Sequence, residues 1–232
     1  MEPRNLVPPA KFIDELESLR REHRKDFPFG QSLRGKSKDE IAEARKKRHV
    51  GGSDNHKFEG EKYLNCTVKS VRRMQLRKLI DEGGVATFGG EVPSHAMLDR
   101  LGTMEFGLSD EEILRLEKED PPPEKLIVRG WWINHCRTSH WAVAIGSGMV
   151  VEGEKKVNPK KELEELEETR KEYSAMGIKN VHHAVWFDAE HAGVDVDHAN
   201  FNEMVIKQHV NTPGLQDEMR KAFILRLQNQ GF

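Results

Sequence analysis

An α+β fold is the class this sequence predicts: a central antiparallel sheet packed on a cysteine-bearing helix, with extra helices at both ends. Three observations carry that expectation. Apolar residues recur at helical spacing before Gly83 and after Thr212, strand-like apolar runs concentrate between Leu126 and Val151, and proline and glycine punctuate the change of regime.

Pro8-Pro9 opens a stretch in which Phe12, Ile13, Leu16 and Leu19 lie on one helical face, and Phe27-Pro28-Phe29-Gly30 is the expected stop. Ser37 to Arg48 is almost wholly charged, with Ile41 as its large apolar residue, and runs into the loop signal Gly51-Gly52-Ser53-Asp54. Val68, Val71, Met74, Leu79 and Ile80 predict a helix of about four turns ending at Gly83-Gly84 and beginning just after Asn65-Cys66. Ser109 and Glu112 form a capping box for a helix through Ile113, Leu114 and Leu116, which Pro121-Pro122-Pro123 terminates.

Leu126-Ile127-Val128, Trp131-Trp132-Ile133, His140 to Ile145 and Met149-Val150-Val151 then read as strands of the central sheet, being rich in β-branched and aromatic residues. Asn158-Pro159 is a cap with proline at the first helical position, launching an acidic helix through Leu163 and Leu166 to Gly177. Val181 to Phe187 is a further expected strand. Thr212-Pro213 starts a terminal helix carrying Met219, Phe223, Ile224 and Leu227.

With 232 residues, 36% hydrophobic and 33% charged, the chain has room for one core domain with helical attachments. No apolar run approaches the roughly 18 residues of a membrane span, and no secretory signal pattern is seen, so the expected location is cytoplasmic, or exported without a recognisable signal peptide. Two cysteines, Cys66 and Cys136, exclude a disulfide framework and a four-cysteine metal site. Residues 1–80 carry 20 Lys and Arg against 12 Asp and Glu, and the remainder carries 17 against 27. That basic section suits either a solvated helix surface or an anionic partner.

Two residues bear chemistry when taken together. A thiol attacks as thiolate, which the unpaired N–H groups and partial positive charge of a helix N-terminus favour, and Cys66 has that placement. His140 leads a strand whose alternate positions, Ala142 and Ala144, leave space beside the imidazole.

Cys66 opening a helix, an apolar strand, then His140-Trp-Ala-Val-Ala-Ile-Gly-Ser-Gly-Met-Val-Val-Glu152 resembles the NlpC-type branch of papain-like cysteine peptidases and amidases over roughly residues 60–155. The same hairpin is similar to the His-Trp-Ala motif of lecithin:retinol acyltransferase-like enzymes, which place their cysteine after the histidine. The resemblance implies a basic helical lobe over 1–58, a papain-like catalytic core over 59–190 and a helical extension over 191–232. It implies a cysteine hydrolase acting on an amide bond of a protein or peptide: His140 takes the proton of Cys66, the thiolate attacks the carbonyl, and backbone N–H groups near Cys66 hold the oxyanion. Glu152, twelve positions after His140, occupies the place of the third triad member.

Register decides whether Glu152 reaches His140. A two-residue Ser147-Gly148 turn puts the two on opposite faces; a three-residue Gly146-Ser147-Gly148 loop puts them on one face, with Glu154 directly opposite His140. Glu154 and Asn158 stay as alternatives.

His182, His183, Asp188, His191, Asp195, Asp197 and His198 offer metal-ligand types, but their spacing matches no standard site and adjacent residues of a strand face opposite ways, so no metal and no cofactor is assigned. Cys136 lacks the helix N-terminus of Cys66. Trp131, Trp132 and Trp141 are read as core. A papain-like glutamine deamidase would use the same triad. A catalytically inert nucleic-acid-binding module using Lys46-Lys47-Arg48-His49 and Arg72-Arg73, or an interaction protein using its terminal helices, are the readings from other classes.

Overall fold

The computed structural model describes residues 5–23, 33–53, 55–87, 90–156 and 159–228. The expected stop at Phe27–Gly30 and the cap at Asn158 lie outside them, as do the side chains of Glu154 and His191. In chain order the elements are α1 (Pro9–His23), α2 (Lys38–His49), α3 (Asn55–Asn65), α4 (Lys69–Gly83), β1 (Val85–Thr87), β2 (Gly90–Val92), α5 (His95–Met104) and α6 (Asp110–Lys118). They continue with α7 (Pro123–Thr138), α8 (Trp141–Gly146), α9 (Met149–Lys156), α10 (Pro159–Ala175), α11 (Val181–His209) and α12 (Pro213–Gln228).

The expected central sheet is absent from the described residues. Their only strands are β1 and β2, a hairpin pairing Val85 with Val92, Ala86 with Glu91 and Thr87 with Gly90. The α+β, papain-like expectation is therefore corrected to a helical assembly. The NlpC-type resemblance, the similarity to lecithin:retinol acyltransferase-like hairpins and the thiol-peptidase class label that rested on them fall with it.

The physical reason is local. Leu126–Val128 and Trp131–Ile133 both lie in α7, whose buried residues Val128, Trp132, His135 and Cys136 recur at intervals of four, three and one. That is a helical face, written in β-branched and aromatic residues that propensity assigns to strands. All six residues of α8 are buried, so no polar face reveals its period. His140 caps α8, its Nδ1 accepting from the Ala142 N–H at 3.2 Å. Val181–Phe187 is the first part of α11, which Asn180 caps by accepting from the His183 N–H at 3.2 Å. Helix α11 runs unbroken past position 190.

Gly146 and Gly148, expected in a hairpin loop, instead let α8 and α9 approach α11. A Cβ at Gly146 would lie 2.6 Å from Ile206 Cγ1 and 2.7 Å from Met219 Cε, and one at Gly148 would lie 2.8 Å from Asn202 Nδ2. Local capping signals read from sequence are present: the Ser109–Glu112 box opens α6 and proline stands at the start of α7.

Helix α11 is the axis of the fold, packed by α1, α4, α5, α8, α9 and α10. The main apolar core joins Phe12, Ile13 and Leu16 of α1 with Val143, Ile145 and Val150, with Phe201, Val205 and Ile206 of α11, and with Met219, Phe223 and Leu227 of α12. A second cluster holds Ile41, Phe106, Tyr173 and Val185, and a third holds Phe58, Trp132 and Cys136. Between them α4 presents a face that is not apolar: Val71, Gln75 and Lys78, at i, i+4 and i+7, are its buried residues.

Candidate metal centre

Cys66 lies in the link between α3 and α4, ahead of the helix-capping residue Val68. Its side chain is fully buried, its Sγ donates to the Val68 carbonyl at 3.6 Å, and burial pushes the thiol up from its ordinary value. The His140 ring caps α8 through Nδ1, and the residue's backbone N–H donates to Glu218 Oε1 at 3.1 Å. Glu152, in α9, accepts from Lys78 Nζ through one oxygen and from Asn202 Nδ2 through the other. Among the described residues no hydrogen bond or ion pair joins any two of Cys66, His140 and Glu152. Cys136 is equally buried, and burial drives its thiol to about 12.

Glu152 belongs to a different group. Asp195, His198 and Asn202 stand at i, i+3 and i+7 on α11, one face of a helix, and that face meets α9. Ligand atoms of Glu152, Asp195 and His198 all lie within 4.8 Å of one another. His198 and Asp195 are buried, and Asn202 is fully so.

The histidine's protonation pattern follows from its partners. Nε2 stands 3.1 Å from Asp81 Oδ2. An ionised carboxylate only accepts, so Nε2 carries a hydrogen, and the ring's other nitrogen, Nδ1, turns toward the cluster. Nδ1 lies 3.9 Å from Asp195 Oδ1 and, though buried, has no hydrogen-bond partner among the described residues. Asn202 Oδ1 is likewise buried and unpartnered. Orphaned buried acceptors are destabilising by about 1–3 kcal/mol each unless something electropositive fills the space.

The surrounding charge has the same sense. Around the cluster, Glu59, Glu82 and Glu152 act on Lys78, Glu59 also on Lys62, and Glu82, Asp195 and Asp81 on His95. Burial alone would raise the Glu59 carboxyl, but Lys62 and Lys78 overcome it and hold it at about 2. Burial opposes the charge of Lys78, and Glu152, followed by Glu59 and Glu82, outweighs it, leaving the ammonium firmly protonated. His95, hydrogen-bonded to Glu82 at 3.1 Å, is raised above its usual value despite burial, with Asp195 and Asp81 adding to the effect.

One imidazole and two carboxylates suit a first-row divalent ion, and helical bundles build such sites from an i,i+3 carboxylate–imidazole pair and a carboxylate of a facing helix. Asp81 completes the pattern as the carboxylate that orients a metal-binding histidine from its far nitrogen. No protein-family model matches this sequence, and no curated protein does. The functional reading therefore rests on the geometry.

From the sequence, Asp195 and His198 are of metal-ligand type but belong to a group whose spacing matches no standard site. Read as helix, Asp195-x-x-His198 is an i,i+3 pair, and that spacing was the available signal. Lys78 and Asp81 gave none, since nothing in the sequence marks Lys78 as buried or sets Asp81 beside His198. His182, Asp188 and Asp197 are exposed, and His183 stacks on Trp186 at 5.9 Å beside Glu105.

Several cations of the basic first third are engaged: Arg34 pairs with Glu168, Arg48 with Asp99, Lys62 with Glu59 and Lys78 with Glu152, and Arg72 donates to the Cys66 carbonyl. Among the described residues no helix is long and apolar enough to cross a membrane.

Proposed function

We propose that this chain is a metal-dependent protein that binds a divalent first-row transition ion, of the manganese, iron or zinc class, through Glu152, Asp195 and His198. The observation that carries the reading is the buried His198 Nδ1, which has no hydrogen-bond partner among the described residues and converges with two carboxylates within 4.8 Å. Three protein ligands are fewer than such an ion takes, so a bound ion would keep positions open to added ligands, unlike closed structural sites. A bound ion would supply Lewis acidity or a redox electron there. Asp81 holds the ring, and Asn202 holds Glu152 and offers Oδ1 to a hydrogen of the added ligand.

The test is metal analysis of untagged protein, stripped with chelator and equilibrated with Mn(II), Zn(II) or, without oxygen, Fe(II). About one ion per chain is expected at micromolar metal, with loss on Asp195→Asn or His198→Ala in variants that keep the helical circular-dichroism spectrum. Failure of all three ions to bind the native protein defeats the proposal.

A further inference from the structure

Lys78 raises a question that the metal reading leaves open, because its ammonium already sits on a proposed ligand. It is 2% exposed, projects from the middle of α4, and is ion-paired to Glu152. The other oxygen of Glu152 is taken by Asn202. An ion approaching Glu152 therefore meets a resident positive charge within a few ångströms, in an interior where charges are weakly screened.

The ammonium has somewhere else to go. Glu59 and Glu82 both contribute to stabilising its charge. Glu59 is held on the α3 side by Lys62 Nζ at 2.6 Å and by Gln75 Nε2, and Glu82 lies one turn beyond Lys78 on α4. A lysine has three donors on a flexible stem, so the ammonium can turn from Glu152 toward those carboxylates.

From this arrangement we infer that Lys78 is the site's built-in cation: it neutralises Glu152 while the site is empty, hands that carboxylate over when a metal arrives, and so sets the metal affinity low enough for exchange. This regulation rests on the proposed metal site. Removal of the ammonium frees one ligand and abolishes the repulsion, so the metal binds tighter. The same change deprives the empty protein of a counter-ion for Glu152, so the metal-free form is destabilised and becomes more dependent on metal.

The experiment uses the full chain, stripped of metal, titrated with Mn(II) alone and followed by calorimetry and by the spin-resonance signal of free Mn(II). Wild type is compared with Lys78→Met, Lys78→Arg and the double variant Glu59→Gln/Lys78→Met, which removes one charge of each sign and covers the case in which Lys78→Met folds poorly. Each variant is also refolded in the presence of Mn(II).

The expected result is binding at least tenfold tighter for Lys78→Met or the double variant, no tighter binding for Lys78→Arg, and a larger rise in melting temperature on adding Mn(II) than wild type shows. Equal or weaker binding by the uncharged variants, with wild type binding Mn(II), overturns the inference while leaving the metal site standing, as does tight binding by Lys78→Arg. No binding by any form removes the metal site and the inference together. Binding by the uncharged variants alone, with none by wild type, overturns the inference, because the native protein then holds no metal to exchange.

Discussion

Gly146→Ala tests the packing that replaces the expected sheet. The added methyl would lie 2.6 Å from Ile206 Cγ1, 2.7 Å from Met219 Cε and 3.2 Å from Ile206 Cδ1. Met219 Cε is the end of a flexible chain and moves at small cost. Ile206 Cγ1 sits one bond from its Cβ on α11, so relief requires a new rotamer or a shift of the helix pair. Overpacking of that kind destabilises by about 1–3 kcal/mol, and alanine's better helix propensity recovers at most about 1 kcal/mol.

The net expectation is a loss of about 1–2 kcal/mol. At about 2–4 °C per kcal/mol for a chain of this size, the melting temperature falls by about 2–8 °C. Gly60→Ala is the control, because nothing lies within 4 Å of a Cβ built there in α3. It stabilises by up to about 1 kcal/mol. Urea unfolding followed by circular dichroism gives both values. Opposite signs support the helix-on-helix contact, whereas a Gly146→Ala protein as stable as wild type refutes it.

Removing the second carboxylate from His198 by Asp81→Leu should weaken metal binding by about 10- to 100-fold, while Asp81→Asn, whose carbonyl still accepts, retains most of it; equal affinities would show that Asp81 does not orient the ring. Burial, reinforced by Lys62 and Arg226, depresses His135 to about 4. Because its folded value lies below the ordinary unfolded value of about 6.5, stability falls as pH drops from about 6.5 to about 4, by up to about 3 kcal/mol, and His135→Gln should flatten that dependence in urea titrations. A variant with the same pH profile as wild type contradicts the assignment. Both thiols are held protonated by burial, so a disulfide reagent at neutral pH should label native protein far more slowly than urea-unfolded protein. Rapid labelling of Cys66 would instead indicate an activated nucleophile.

Where a local group fixes the outcome, sequence and structure agree. Phe12, Ile13 and Leu16 face the core from α1, Ser109 with Glu112 opens α6, proline stands first in α10 and α12, and Gly177 with φ +75° closes the turn after α10. Each depends on neighbours within about one helical turn. Whether His140–Ile145 or Val181–Phe187 becomes strand or helix depends on what surrounds it, and burial on every side removes the polar stripe by which a helix announces its period.

The candidate site shows the same division more sharply. Sequence alone determined that Glu152, Asp195 and His198 are donors of the right type, and even that the last two are three residues apart. Only the tertiary structure decided that α9 sets Glu152 against that pair, because the approach runs through Gly148 and Asn202, whose contact spans 54 positions of chain. It alone decided that Lys78 turns inward and that Asp81 meets His198, since a charged residue on an amphipathic helix is placed by partners that sequence does not locate.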